Sequence, residues 1–240
     1  MNADAQSPLI FDRDLLRRRR LRAAPAAAAH AFLLDYVAAD LAERLSLVTR
    51  SFGTGVDLGA GLGHVGRAIA ATGKAGPLIR ADLVPPPVGT GPAVVADEEA
   101  LPFAAGSLDL VVSGLALHLV NDLPGALAQI RRALVPDGLL LAALLGPASL
   151  RELRCAFTEA EIEISGGASP RVAPFADVRA LGALLQRAGF ALPVADSDCL
   201  TVTYPDPLAL MRDLRGMGAA NMLVERSRQP LRRAVLARAL

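Results

Sequence analysis

Residues 56–66 read VDLGAGLGHVG, an apolar strand end with an aspartate, followed by glycines at every second position. A strand that runs through a glycine-rich turn into a helix is typical of nucleotide-binding α/β domains. Downstream, apolar strands and helices alternate, and this alternation predicts a doubly wound, mostly parallel sheet. The predicted strands contain VDL (56–58), PLIRADL (77–83), AVVAD (93–97), LDLVVSG (108–114) and LLLAALL (139–145).

The composition fits one domain without a membrane span. The chain has 240 residues, of which 52% are hydrophobic, enough for one sizeable core. Its longest apolar run, LLLAALL, is far shorter than the roughly 18 residues that a transmembrane helix needs. A net charge of +1 gives no general argument for nucleic acid, and 4% aromatics without tryptophan leave few platforms for stacking bases. We therefore predict no nucleic-acid partner.

The glycine turn departs from the dinucleotide fingerprint. That fingerprint, G-x-G-x-x-G, needs a glycine at position 64, where this chain has His64. The chain instead has Gly59, Gly61 and Gly63, preceded by Asp57. S-adenosylmethionine carries no phosphate, and its carboxylate and amine need an open turn with an acid for the ammonium. Asp57 or its neighbouring backbone suits that task, so we predict an S-adenosylmethionine site.

Two later acids agree with this prediction. Asp82 ends the second strand, about 20 residues past the glycines, where a carboxylate can bind both ribose hydroxyls. Asp97 follows the third strand in DEEALPF and can accept from the adenine amino group, while Leu83 covers the ring. Glu98 and Ser113 complete the predicted cofactor-binding set. The alternatives are a nucleotide fold that has lost its ligand and one that binds NAD.

From Val56 to about Leu145, these features resemble the class I S-adenosylmethionine-dependent methyltransferases. We therefore expect a Rossmann-like fold in a single domain, residues 1–240. Two helices are expected in the N-terminal part, over 9–24 and 31–48, and an extended stretch over 191–204. The three parts are N-terminal helices (1–50), the cofactor-binding core (51–145), and a helical insertion with the C-terminal substrate-side part (146–240).

The cellular context is predicted from the cysteines and the first residues. Cys155 and Cys199 show no ligand spacing, which indicates a reducing compartment. The start has no basic region followed by an apolar one, so no secretory signal is expected. Asp4, Asp12 and Asp14 argue against a mitochondrial transit peptide. We predict a cytoplasmic protein, and the oligomeric state is unknown from the sequence.

Candidate catalytic residues follow the fourth strand, in SGLALHLVND (113–122). His118 is the histidine best placed for proton chemistry; the alternative is that it caps or packs the next helix. His30 and His64 are interpreted as structural. The sequence shows no 2-His-1-carboxylate arrangement and no flavin fingerprint, so no metal site is predicted. The arginine run RRRRLR (17–22) is interpreted as a solvated helix face, with docking onto an acidic patch of a protein client as the next alternative.

Three long strings resemble the respiratory complex I assembly factor 5 family. They are FDRDLLRRRRLRAA (11–24), LALHLVNDLPGALAQIRRALVPDG (115–138) and the stretch from GGASPRVAP to GAANML (166–223). The chain is also similar to the malonyl-acyl-carrier-protein methyltransferases of biotin synthesis. The resemblance implies hydroxylation of an arginine in the complex I subunit that carries the terminal iron–sulfur cluster, in the mitochondrial matrix for the relatives.

Hydroxylation needs activated oxygen, so the resemblance implies an oxidant or metal that the sequence does not identify. Tyr204 and Asn221 lie in the third string and are candidates to contact the substrate. Two alternatives stay open: true methyl transfer to a small acid or acyl-carrier-protein thioester, and a non-catalytic assembly chaperone. The chain departs from the family by Gly114, at a position that is often polar. The family also implies a further strand beyond Leu240, without which a sheet edge would need covering.

Overall fold

A computed structural model of the protein describes residues 9–86 and 91–240. Residues 1–8, where we predict no targeting signal, and residues 87–90 lie outside this part. The centre is a five-stranded, fully parallel sheet with strand order β3-β2-β1-β4-β5. The strands are β1 (Gly55–Leu58), β2 (Ile79–Asp82), β3 (Ala93–Val95), β4 (Leu108–Gly114) and β5 (Leu134–Ala143).

Eight α-helices and two 3-10 helices surround the sheet in the described part of the chain. The 3-10 helices cover Ala27–His30 and Leu117–Leu119. The α-helices are α1 (Arg13–Ala23), α2 (Phe32–Ser46), α3 (His64–Ala71), α4 (Leu123–Ala133), α5 (Arg151–Ser165), α6 (Val178–Arg187), α7 (Pro207–Gly216) and α8 (Arg233–Ala239).

Both faces of the sheet are covered, which confirms the doubly wound prediction. On one face, Leu41 and Leu45 of α2 join Ile69 of α3 in a cluster that has almost no exposed surface. On the other face, Ile130 of α4 packs with Val111 of β4. Strands buried on both sides are apolar along their whole length, as the sequence of β4 shows. Within the described residues, no helix is long and apolar enough to cross a bilayer.

The start of α1 lies later than the sequence predicts. A helix was expected from residue 9, but α1 begins at Arg13 because the Asp12 carboxylate caps it, accepting a hydrogen bond of 2.9 Å from the Leu15 N–H. The preceding residue, Phe11, is extended and forms an antiparallel bridge with Leu223. The entry to α1 is therefore tied to a segment more than 200 positions away.

The residues PDG (136–138), which the sequence predicts as a turn that closes the helix before the fifth strand, lie inside β5. Leu108 of β4 pairs with Leu134, whereas Leu110 pairs with Leu139, so the pairing register shifts across this segment. Asp137 takes a positive φ of 60°, which lets the chain bulge and resume pairing. The prediction of a turn before the strand was wrong because local turn residues were absorbed as an irregularity in a longer strand.

The extended stretch predicted over 191–204 forms no strand, although every residue in it is described. Leu192 is 94% exposed and Val194 is 87% exposed. An alternating apolar pattern favours an extended backbone, but a strand also needs a neighbouring edge for its N–H and C=O groups. Within the described residues this segment pairs with no strand, and β5 is the last strand on its side of the sheet.

Candidate functional site

The glycine turn connects β1 to α3 at the carboxyl edge of the sheet. Gly59, Gly61 and Gly63 all have positive φ, at 72°, 51° and 75°. A Cβ at Gly59 would lie 2.1 Å from the Cβ of Ala116, so no side chain fits there. A Cβ at Gly61 would meet nothing within 4 Å. The backbone at Gly61 is therefore open to a ligand, as the sequence predicts for this turn.

Asp57 lies beneath the turn. Its Oδ2 accepts a hydrogen bond of 2.9 Å from the Gly66 N–H, while its Oδ1 is buried without a partner. Burial raises the pKa of this carboxyl to about 6, against the hydrogen bond from Gly66 and the charge of Arg80, which lower it. The sequence left open whether Asp57 or its neighbouring backbone receives the ammonium. With no side-chain surface exposed, the geometry favours the backbone.

Asp82 ties the end of β2 to the glycine turn. Its Oδ2 accepts a hydrogen bond of 2.9 Å from the Gly61 N–H, and its Oδ1 accepts one of 2.9 Å from the Val84 N–H. The carboxylate therefore stands next to the open glycine, where ribose hydroxyls can donate to its remaining lone pairs. Leu83, predicted to cover the adenine, is buried in a cluster with Phe11 and Leu16.

The next acids meet two arginines of α1, a contact that sequence reasoning missed. Arg13 donates to Asp97 at 2.5 Å and also to Glu98. Arg20 lies 3.5 Å from Asp82 and 3.4 Å from Glu98. Glu98, predicted as a cofactor-binding residue, has no exposed surface and contacts both arginines. The seven-residue spacing of the arginines was the available signal, since it places both on one helix face.

Asp97 remains partly accessible beside this ion-pair cluster. Its side chain is 32% exposed, and its Oδ1 also accepts a hydrogen bond of 2.9 Å from the Glu99 N–H. The Asp97 carboxylate, which the sequence predicts as an acceptor for the adenine amino group, is thus held in place by Arg13 and by its own turn. The interpretation of RRRRLR as a solvated face holds only for part of the run, because Arg17 and Arg18 are exposed whereas Arg20 faces the acids.

Ser113 and Gly114 lie at the carboxyl end of β4 and contact neighbouring strands and helices. The Ser113 hydroxyl donates to the Leu58 carbonyl at 2.9 Å and is fully buried, so it joins the ends of β1 and β4. A Cβ at Gly114 would lie 2.5 Å from Val65 and 3.2 Å from Leu34. The close approach of α2 and α3 therefore leaves no room for a side chain at this position.

His118 is partly buried. Its ring meets the edge of Phe175 with 5.4 Å between ring centroids, and its Nδ1 is buried without a partner. Burial, together with the charge of Arg20, lowers the pKa of His118 to about 3. Of the two sequence interpretations, packing agrees better with this geometry. An imidazole with so low a pKa is a poor proton acceptor at neutral pH.

Tyr204, by contrast, belongs to a network of titratable side chains. Its hydroxyl donates to Asp213 at 2.6 Å, and the other oxygen of Asp213 lies 2.5 Å from Nδ1 of His30. Burial and the hydrogen bond to Asp213 raise the pKa of Tyr204 to about 12, so the phenol stays protonated. Asp213 was not among the predicted site residues, and His30 was interpreted as structural, because the partners lie far apart in the chain.

Asn221 and Asn121 are used in loop contacts. The Asn221 amide donates to the Pro170 carbonyl at 2.8 Å, and its Oδ1 accepts from the Leu223 N–H at 3.1 Å. Oδ1 of Asn121 accepts from the N–H groups of Ile10 and Phe11, at 2.8 and 2.7 Å. Both asparagines thus fix the segments that hold α1 over the site. In the part of the chain that the structure describes, no three His, Cys, Asp or Glu side chains are grouped to hold a metal ion.

The chain matches known proteins over this same region. Residues 56–142 match the family described as "Methyltransferase domain". A solved chain from the complex of the Trm112 activator with a methyltransferase of Haloferax volcanii is 22% identical, with a TM-score of 0.55 over 82% of this chain and 93% of that one. The fold is therefore the Rossmann-like class I methyltransferase fold. The protein is an enzyme of the S-adenosylmethionine-dependent methyltransferase superfamily.

Curated relatives identify the family. Human mitochondrial arginine-hydroxylase NDUFAF5 is 41% identical over 88% of this chain, and the chain spans 64% of the human protein. The zebrafish protein of the same name is 37% identical over 88% of this chain and 68% of its own length. The malonyl-acyl-carrier-protein O-methyltransferase of Methylovorus sp. is 36% identical over 95% of this chain and 79% of its own length. The chain belongs to the arginine-hydroxylase NDUFAF5 family, which confirms the resemblance to complex I assembly factor 5.

S-adenosylmethionine is the cofactor of this superfamily, and the residues present fit it. The open backbone at Gly61 offers space where a ligand can approach the turn, and Asp82 stands beside it with its carboxylate aligned by two backbone N–H groups. Asp97, one strand further along the sheet, keeps a partly exposed carboxylate. These carboxylates are acceptors that suit the donors of a nucleoside, its ribose hydroxyls and its exocyclic amine.

Proposed function

We propose that this protein binds S-adenosylmethionine at the glycine turn and modifies an arginine side chain of a protein client during assembly of respiratory complex I. The observation that carries the proposal is the identity of 37–41% to vertebrate arginine-hydroxylases over 88% of the chain. The client we propose is the subunit that carries the terminal iron–sulfur cluster, as the family resemblance implies. The cytoplasmic location stays a prediction from the sequence.

In this proposal the chain's own residues orient the reactants. Asp82 accepts from the ribose hydroxyls, Asp97 from the adenine amino group, and the backbone around Gly61 receives the amino-acid end of the cofactor. In methyl transfer, a bound S-adenosylmethionine would supply an electrophilic methyl group. In hydroxylation, it would have a non-methylating role, and the oxygen would come from a separate oxidant. The oxidant or metal of the hydroxylase is not identified. Arg13 and Arg20 hold the acids in place from the side of α1.

A second candidate is methyl transfer to the carboxylate of an acyl-carrier-protein thioester. The observation in its favour is coverage: the malonyl-acyl-carrier-protein methyltransferase of Methylovorus sp. matches 95% of this chain and 79% of its own length. The cofactor contacts are the same in both candidates, so the substrate side distinguishes them. A carboxylate substrate needs a cation near the transferred methyl, whereas an arginine substrate needs an anion.

The deciding experiment is peptide mass spectrometry of the cluster-carrying subunit from cells with and without the gene. An arginine peptide heavier by one oxygen only when the gene is present supports hydroxylation, and a gain of one methylene supports methylation of the same client. Cells that produce the Asp82→Asn protein serve as the control for cofactor dependence. An unchanged subunit contradicts the proposal, and purified protein is then assayed on malonyl-acyl-carrier protein for methyl transfer.

A further inference from the structure

A second cavity lies apart from the glycine turn. It has a volume of about 350 Å³ and is formed by the start of α2, the segment before α7, and α7 itself. Phe32, Val202 and Ala209 contribute apolar walls, and the network of His30, Tyr204 and Asp213 lies at its polar end. A cavity of this size holds a single amino-acid side chain with room to spare.

The cavity lies on the cofactor's side of the sheet. The helix α2 begins at Phe32, and two residues later Leu34 lies 3.2 Å from where a Cβ of Gly114 would stand, at the carboxyl end of β4. Asp35 pairs with His64, the first residue after the glycine turn. In parallel α/β sheets, the substrate lies beyond the carboxyl ends of the strands. The cavity lies at the N-terminus of α2, which is close to the carboxyl end of β4. It therefore lies where a substrate of the methyltransferase fold would be held.

The charge of the polar end is set by Asp213. Tyr204 stays a neutral donor because its pKa is raised to about 12 by burial and by its hydrogen bond to Asp213. The Asp213 carboxylate is held by donors on both oxygens, and its side chain is 16% exposed. Each oxygen retains a lone pair, so the carboxylate can still accept a forked pair of hydrogen bonds. The end of the cavity thus presents one oriented anion between aromatic rings.

A guanidinium group complements this arrangement. Its planar fork matches a carboxylate with two parallel hydrogen bonds, and its faces stack on aromatic rings such as those of Phe32 and Tyr204. The three methylenes of an arginine side chain suit the apolar walls. The guanidinium of Arg212, which also borders the cavity, is 71% exposed and points its charge towards Asp206 at 3.8 Å. It therefore leaves the Asp213 anion available.

We propose that this cavity binds the client's arginine side chain, with Asp213 as the counter-ion and with His30 and Tyr204 as the residues that position it. The inference rests on the proposed function for the identity of the client but makes its own claim about where the arginine is held. His30 is a positioning residue here: its Nδ1 holds one oxygen of Asp213, and the ring lies against Gly216, where a Cβ would come within 2.1 Å of it.

The first test uses a probe that does not depend on the client. The chain contains three histidines, so a sample labelled with ¹⁵N-histidine gives few signals, which three single His→Gln variants assign. N-acetyl-arginine-methylamide should shift the His30 signals in a saturable way, whereas the matching lysine compound should not. Asp213→Asn should abolish the shift. Asp196→Asn, an exposed acid in the preceding segment, should leave it unchanged.

The second test measures binding of the client subunit to purified, cofactor-loaded protein by calorimetry, so it needs no turnover. We expect Asp213→Asn to raise the Kd for the client about 10- to 100-fold, as for loss of a charge-assisted hydrogen bond. Tyr204→Phe should give a smaller increase, and the affinity for S-adenosylhomocysteine should stay unchanged in both variants, which shows that they fold. Asp196→Asn should retain the wild-type Kd.

The two tests separate the failure of this inference from the failure of the proposed function. If the arginine probe leaves the His30 signals unmoved, or if Asp213→Asn binds the client with the wild-type Kd, the cavity is not the arginine site. If the probe binds in an Asp213-dependent way and the client subunit carries no modification in cells that contain the gene, the cavity assignment stands and the proposed client is wrong.

Discussion

Arg13, in the first turn of α1, donates to Glu98, whose side chain has no exposed surface. Burial lowers the pKa of Arg13, but the charges of Glu98 and Asp97 more than offset this, so that the pKa is raised above its ordinary value. Without Arg13, the buried Glu98 carboxylate would keep only the longer contact to Arg20, at 3.4 Å. The N-terminal helix is therefore part of the cofactor-binding core and not an appendage to it.

Replacing Arg13 should test this connection. We expect Arg13→Met to lower the free energy of unfolding by about 3–5 kcal/mol, because it leaves the buried Glu98 charge without its main partner. Urea denaturation measures the difference. Arg17→Met, an exposed arginine on the same helix, should change stability by no more than about 0.5 kcal/mol. Equal effects at the two positions would mean that the ion pair contributes nothing specific.

Gly61 in the glycine turn and Gly73 after α3 offer a matched pair of substitutions. Gly61 and Gly73 both have positive φ, at 51° and 71°, and a Cβ at either would meet nothing within 4 Å. Alanine should therefore cost each position a similar ~1–2 kcal/mol of stability through backbone strain. Only Gly61→Ala should weaken S-adenosylhomocysteine binding, measured by calorimetry. Unchanged affinity in Gly61→Ala would show that no ligand approaches this backbone.

Asp82 and Asp109 form a second pair for comparison. Asp82 lies at the carboxyl end of β2, and Asp109 lies near the amino end of β4. Asp109 accepts hydrogen bonds from the Gly53 and Thr54 N–H groups, at 2.6 and 3.0 Å. Asp82→Asn should weaken cofactor binding about 10- to 100-fold, the effect of losing a charged acceptor for the ribose hydroxyls. Asp109→Asn should lower stability and leave cofactor affinity unchanged. The ribose assignment fails if the two variants bind equally well.

The partly buried imidazole of His118 predicts a dependence of stability on pH. Its pKa falls from 6.5 in the unfolded chain to about 3 in the folded one, so the folded state favours the neutral ring. The resulting stabilisation is complete above pH 6.5 and is lost as the pH falls towards 3, by about 1.4 kcal/mol per unit. His118→Gln should remove this loss in urea titrations, whereas His64→Gln should retain it. A parallel decline in wild type and His118→Gln would refute the assignment.

Local signals in the sequence predicted the core of the fold. The strand Leu108–Gly114 has the predicted bounds. A continuously apolar run between two turns is typical of a strand that is buried on both faces of an α/β sheet. The glycine turn and Asp82 were found for the same reason: each follows directly from the end of a strand. Where geometry is fixed by the residues next in the chain, the sequence is sufficient.

Contacts between distant segments were not predictable in this way. Helical spacing shows that Arg13 and Arg20 share a face of α1, but it does not show that this face meets Glu98, 85 positions away from Arg13. The pairing of His30 with Asp213 spans 183 positions. Apolar alternation over 191–204 likewise reports a backbone preference and not the presence of a partner strand.

The contact of His30 with Gly216 makes the two positions interdependent in evolution. Any side chain at 216 would occupy the space of the imidazole, since its Cβ would lie 2.1 Å from the ring. An ancestor could therefore acquire histidine at 30 only after position 216 had become glycine, and a descendant could replace that glycine only after giving up the histidine. Among homologous chains, the two positions should covary, and chains that lack the pair should support Asp213 by another donor.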